Sequence, residues 1–307
     1  MFHADNRVAA SGPRGELAPA SPLVNPQTAA FLRLTSAPRT PSLARLVRNR
    51  NAMNLVIETT GLTRVFGQVR AVDGLDLRVE AGKFFGFLGP NGAGKSTTIK
   101  MLTGLLAPTS GQMRILGENL ADENCAREVR RHVGVVPEHL ALFDNLTGRE
   151  YLPFIGRMYL LPLATVKERC DELLTMMGLE HEEKKLTLEY SHGMKKKLAL
   201  AGALLPGPDL LFLDEPFEGV DAVSSRVLRD VLRRCVKRGA TVFLTSHVLE
   251  IVEKLCSDVG IIAQGKLVYQ ATMDEVRQSG SLEEKFISAV GGEQVETQQL
   301  SWLAEGS

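Results

Sequence analysis

The spacing of apolar residues changes several times along this chain, and each change marks an element. Residues 55–58 and 75–79 alternate apolar and polar as half-buried strands do, with Gly67 and Gly74 at turns. Residues 84–88 are a short apolar run, the pattern of a strand covered on both faces. Residues 95–105 take helical spacing and stop at the turn 108–111, and 133–136 reads as a second buried strand. From about 140 to 205 the chain reads as nearly all helical. Thr147 and Glu150 are spaced for a capping box, but Pro153 follows, and inside a helix it would remove a hydrogen bond. That helix starts either at the box or near Pro153. Strand and helix then alternate through 210–213, 224–238, 241–245 and 248–256, and 261–270 reads as strand-turn-strand around Gly265.

Such alternation predicts an α/β fold with a mainly parallel sheet and helices on its faces. The segment near 140–205 then reads as a helical subdomain inserted between two halves of that core, and the N-terminal strands as an antiparallel part. One folded unit spans 53–278, with a helical tail at 279–307. Residues 1–52 differ: they hold six prolines, seven arginines, no lysine and two acids, with no sustained period. They read as disordered. They are a native tail, a targeting segment, or an upstream extension with Met53 as the true start.

The strand 84–88 runs into Gly89-Pro90-Asn91-Gly92-Ala93-Gly94-Lys95-Ser96-Thr97, which matches G-x-x-x-x-G-K-[ST] between a strand and a helix. This is the phosphate loop of a P-loop NTPase core. Its glycines let successive backbone N–H groups face one point, and the helix N-terminus adds to the field that holds anionic oxygens. Lys95 is placed to reach the β- and γ-phosphates of ATP, and the Ser96 hydroxyl to ligate Mg²⁺. A second apolar strand, 210–213, ends in Asp214 and Glu215. Ligands of open α/β sheets bind at the carboxyl ends of the strands. Asp214 can therefore hold Mg²⁺, directly or through water, and Glu215 can polarise the attacking water as a general base. His247, closing a third strand, is placed for a γ-phosphate contact.

Bulk properties limit the alternatives. Thirty-six basic and 36 acidic residues cancel, which argues against a general polyanion or nucleic-acid binder. Cys125, Cys170, Cys235 and Cys256 lie far apart with no CxxC pair, which fits a reduced, cytosolic compartment without a zinc site. No apolar run approaches the roughly 18–20 residues that span a bilayer. Any membrane role therefore requires a partner.

Taken alone, Ser191 ahead of Gly193 and Met194 is a helix N-cap. Together with the phosphate loop and the acidic strand end, the ordered set resembles the ATPase subunits of ABC transporters, over about residues 55–292. Residues 89–97 are similar to its Walker A and 210–215 to its Walker B. Tyr190-Ser191-His192-Gly193-Met194 is similar to its signature, Gly219-Val220-Asp221 to its D-loop, and His247 to its switch histidine. Phe66 stands where the family places an adenine-stacking aromatic. The resemblance implies a head-to-tail dimer in which Ser191 and the Gly193 backbone contact the γ-phosphate held by a second ATPase subunit. It also implies a separate transmembrane permease docked on the helical insertion and near 138–149, at the cytoplasmic face of a membrane. Residues 281–286 are similar to the helical ending of drug and antibiotic exporter ATPases.

Two positions depart from the family pattern. Glu138 stands where Gln is usual; it can still ligate Mg²⁺ but adds negative charge near the γ-phosphate, and His192 replaces the commoner Gly. Lys195, Lys196 and Lys197 read as a solvated helix face or as a nucleotide-steering patch. The alternatives to an exporter are an importer subunit and an ABC-type ATPase working on ribosomes or DNA. The substrate is not readable here, because the ATPase does not touch it.

Overall fold

A computed structural model describes residues 55–291. The expected disorder of 1–52 and the end of the tail lie outside the described residues. Two sheets form the frame. The antiparallel sheet contains β1 (Leu55–Phe66), β2 (Val69–Leu75), β3 (Arg78–Glu80), β5 (Ser110–Ile115) and β6 (Glu118–Asn119). The other contains β4 (Phe84–Leu88), β7 (Val133–Val136), β8 (Leu210–Leu213), β9 (Thr241–Ser246), β10 (Asp258–Ala263) and β11 (Lys266–Thr272), in the spatial order β11-β10-β4-β9-β8-β7. Within it every pairing is parallel except β10–β11.

Strand β4 is buried along its whole length because both its faces are covered. Phe84 and Leu88 enter one apolar cluster, and Phe85 and Phe87 enter the other. In the second, mostly aliphatic cluster, Phe85 stacks on Phe243 with centroids 5.4 Å apart. Helices α1 (Lys95–Leu102), α2 (Glu123–Arg131), α3 (Gly148–Met158), α4 (Leu163–Met176), α5 (His192–Leu204), α6 (Ala222–Lys237), α7 (Leu249–Leu255), α8 (Met273–Gln278) and α9 (Leu282–Val290) complete the fold.

Several boundaries differ from the sequence expectation. The run 75–79 is not one strand: β2 ends at Leu75 and β3 starts at Arg78. Gly67 does sit at a hairpin turn, but Gly74 lies within β2 at φ +64°. Helix α1 stops at Leu102, not Leu105, because Thr103 caps it and Gly104 turns away at φ +72°. The stretch 140–205 is less helical than expected, with non-α connections at 137–147 and 177–191.

Helix α3 starts at the capping box, and Pro153 lies inside it. The box satisfies the helix start: Thr147 accepts from the Glu150 N–H, and the Glu150 carboxylate accepts from the Thr147 N–H. Pro153 costs one helical hydrogen bond, and burial of Tyr151 and Leu152 holds the helix through it. Gly156 lets the neighbouring helix approach, since a Cβ there would stand 2.6 Å from Val166 Cγ2.

An ion pair anchors the amino ends of β7 and β8. His132 Nδ1 lies 2.9 Å from Asp209 Oδ2, and its Nε2 lies 3.6 Å from Glu128 Oε1. The bond to Asp209 raises the His132 pKa against partial burial. A raised folded-state pKa stabilises fully below the unfolded value of about 6.5 and loses that contribution as pH rises through the folded value. His132→Gln should therefore cost about 1.5–3 kcal/mol below pH 6, the usual worth of a hydrogen bond to a charged group. The gap to wild type should close above the folded pKa. Urea melts of both proteins at pH 6 and pH 9 check this; a gap that does not change with pH contradicts it.

Candidate nucleotide site

The site follows from strand order. Strand β9 inserts between β4 and β8, and β7 flanks β8. Pairings of Leu88 with Ser246, Leu213 with Leu244 and Val136 with Leu213 bring the carboxyl ends into one row. The segments leaving those ends are the phosphate loop, His247, Asp214–Glu215 and Glu138. They surround a cavity of about 390 Å³ lined by Pro90, Asn91, Gly92, Gly94, Lys95, Ser96, Thr97, Glu138, Glu215 and His247, with Ala71 and Glu218 at its margin.

The loop conformation needs its glycines. Gly92 and Gly94 take φ of +80° and +107°. A Cβ on Gly94 would lie 2.4 Å from the Ala71 carbonyl oxygen, so only glycine fits. Gly94 also caps α1 without any side-chain bond to its first amides. Those N–H groups are thus available to an anion beside the cavity. Gly89 and Ala93 pack behind the loop against Ile262. Lys95 is 7% exposed, and its Nζ donates to the carbonyls of Gly89 at 2.7 Å and Pro90 at 3.2 Å.

The acids differ in position. Glu215 faces the cavity, with one carboxylate oxygen 3.9 Å from Lys95 Nζ and the other 3.0 Å from His247 Nδ1. Its φ is +46°, an unusual backbone state for a residue with a Cβ, and such strain gathers at functional sites. Asp214 sits one layer back, nearly buried, accepting a 2.5 Å bond from Thr245 Oγ1. The same hydroxyl accepts from the Glu215 N–H at 3.0 Å. Thr245 therefore holds both acids. Ser96 Oγ lies 3.5 Å from Glu138 Oε2, which brings two of the three residues expected to hold the metal together across the cavity.

Other predicted residues do not line this cavity. Ser191 caps α5, accepting from the Met194 N–H at 3.2 Å. Asp221 caps α6, accepting from the N–H groups of Val223 and Ser224. Gly193 packs beside it, where a Cβ would lie 3.1 Å from Asp221 Oδ2. Ser191, Gly193, Met194 and Asp221 therefore cluster on a separate surface. Phe66 is exposed at the β1–β2 hairpin, with the Arg64 guanidinium 4.5 Å from its ring centroid.

Lys196 corrects the reading of 195–197 as a solvated face. It is 2% exposed, and its Nζ donates to the carbonyl oxygens of Glu215 at 2.9 Å and Glu138 at 3.5 Å. Burial pushes its pKa down, and the carboxylates of Glu218, Asp214, Glu138 and Glu215 pull it back. The signal in the sequence was spacing: Lys196, Leu200 and Ala203 fall at i, i+4 and i+7, an apolar helix face. Three adjacent lysines obscured it.

The ABC transporter family profile matches residues 72–218. The chain is 42% identical over 226 residues to the bacitracin transport ATP-binding protein BcrA of Bacillus licheniformis, covering 73% of this chain and 72% of that one. It is 41% identical over 223 residues to the daunorubicin/doxorubicin resistance ATP-binding protein DrrA of Streptomyces peucetius, covering 73% and 67%. A solved structure of the ATP-binding subunit of an ABC transporter superposes with a TM-score of 0.71 at 30% identity, over 76% of this chain and 99% of that one.

Proposed function

Because this chain belongs to the ABC transporter ATP-binding proteins, we propose that it hydrolyses ATP in a head-to-tail dimer to drive export through a separate membrane subunit. The observation that carries this reading is the division of the predicted residues into two surfaces. Lys95, Ser96, Glu138, Glu215 and His247 surround one cavity, whereas Ser191, Gly193 and Asp221 gather away from it. A second copy supplies the missing half of each site in this reading.

The loop amides and Lys95 bind the phosphates and neutralise their charge. Glu215 accepts the proton of the attacking water, and His247 orients that carboxylate and reaches the γ-phosphate. Ser96, Glu138 and Asp214 would hold Mg²⁺, whose charge, when bound, offsets that developing on the phosphate oxygens. The cluster of oxygen donors fits a hard cation. Adenine stacks on the exposed ring of Phe66.

The membrane partner docks on the inserted helices. Phe143 and Phe154 are both exposed and pack edge to face with centroids 4.8 Å apart, and Met158 and Leu163 are exposed as well. No helix among the described residues is long and apolar enough to cross a membrane. In this reading the chain is a peripheral subunit at the cytoplasmic face. The export direction draws on the names of the bacitracin and daunorubicin relatives. Pull-down from membranes tests the proposal: a polytopic protein that raises ATP turnover supports it. Capture of ribosomes with no membrane partner contradicts it.

Glu138 adds its own expectation. A carboxylate attracts Mg²⁺ more strongly than an amide, so Glu138→Gln should raise the Mg²⁺ concentration for half-maximal ATPase activity by roughly 3–10-fold, about 1 kcal/mol of attraction. Mg²⁺ titrations of both proteins over pH 6–9 check this. Unchanged Mg²⁺ and pH profiles sink the idea.

A further inference from the structure

We propose that Lys196 is a positioning residue for the catalytic carboxylate, tying the helix that carries Ser191 to the backbone of Glu215. The inference rests on the reading of Glu215 as general base.

The starting point is an ammonium group whose hydrogen-bond acceptors are two backbone carbonyls, those of Glu215 and Glu138. Burying a charge without a direct ionic partner is costly, and an apolar side chain would fill the same space without that cost. The surroundings favour one. Val136, Leu200, Leu213, Leu228 and Leu232 enclose the Lys196 stem and leave a cavity of only about 10 Å³. The packed stem fixes where the ammonium ends, at the carboxyl ends of β7 and β8.

There the ammonium meets a residue that needs holding. Glu215 sits at φ +46°, outside the regions that side-chain-bearing residues prefer. Two groups grip it from opposite sides: Thr245 Oγ1 accepts from its N–H, and Lys196 Nζ donates to its carbonyl. With both peptide groups fixed, the direction of the carboxylate is set. By reaching the Glu138 carbonyl as well, Lys196 keeps the Glu215 and Glu138 loops in register across the cavity.

Lys196 also belongs to α5, which Ser191 caps. His192, one turn earlier on the same face, places its Nε2 3.2 Å from the Glu218 carbonyl oxygen. The helix thus holds the 215–218 loop at two points. A shift of α5 when its N-terminus meets the partner's nucleotide moves Glu215 in its own site. Lys196 is the mechanical link between them.

The test compares Lys196→Met, which keeps the stem and removes the donor, with Leu200→Ala, which opens the same apolar pocket without touching either carbonyl. Steady-state ATPase, equilibrium ATP binding and thermal melting are measured on the full chain. Lys196→Met is expected to lower kcat at least tenfold with the Kd for ATP within threefold of wild type. Leu200→Ala is expected to lower the melting temperature and keep kcat within threefold. A Lys196→Met kcat within threefold of wild type overturns the inference. So does an equal kcat loss in Leu200→Ala. If Lys196→Met yields no folded protein, Lys196→Gln, whose shorter amide cannot span to Glu215, takes its place with the same two readings. Glu215→Gln separates the two claims. If it turns over normally, the general-base reading fails and takes this inference with it. If it is inactive while Lys196→Met is not, only the Lys196 inference falls.

Discussion

Replacing Glu215 by Gln is expected to lower ATP turnover by roughly 10²–10⁴-fold, the range for loss of a positioned general base, while ATP still binds. The amide nearly preserves shape, so the grip on the backbone by Thr245 and Lys196 survives. The phosphate-binding N–H groups and Lys95 are untouched. What disappears is the proton acceptor between Lys95 and His247. Because ATP binding continues without hydrolysis, the variant should accumulate as an ATP-bound dimer, visible by gel filtration with nucleotide and absent without it. Residual turnover above about a tenth of wild type assigns the base elsewhere.

Mixing Lys95→Ala with Ser191→Ala subunits should restore an activity that neither variant has alone. Lys95→Ala removes the buried cation that in the proposed reading meets the phosphates, and should weaken ATP binding by at least tenfold, since one charge-assisted hydrogen bond is worth about 1.5–3 kcal/mol. Ser191→Ala removes the hydroxyl that caps α5, a helix loss of about 1 kcal/mol, and with it, in the proposed dimer, the contact to the partner's nucleotide. In a mixed dimer one composite site joins an intact Lys95 to an intact Ser191, and the other carries both changes. ATP occlusion measured across mixing ratios should peak near equal amounts. A flat, inactive series while the wild-type dimer occludes ATP removes the shared-site arrangement.

Local features of this fold were legible residue by residue. Strands β4, β7 and β8 are short apolar runs, and their limits coincide with the expected ones because burial on both faces leaves a signal that needs no partner to interpret. The phosphate loop was equally readable, since its glycines answer a backbone requirement within nine residues. The capping box of α3 was visible for the same reason. Local rules left a choice open, or misled, where they met a packed neighbour. Pro153 stays inside α3 because its flanking side chains are buried, and Lys196 is buried in a helix whose sequence there looks solvated.

The amino-acid sequence by itself determined that a phosphate loop, two strand-end acids and a strand-end histidine exist, and that a helical block separates them. Spatial order was beyond it. Strand β9 comes last in the chain among β4, β7, β8 and β9, yet lies between β4 and β8. That crossover sets His247 against Glu215 and lets Thr245 hold both acids. Side-chain period reports which face of a strand is covered, not which strand covers it. Neighbours in a parallel sheet are chosen by long-range pairing and crossover packing. Only the assembled sheet could therefore turn four separate strand ends into one site, and only the packed helix behind it could place an ammonium ion on the backbone of its base.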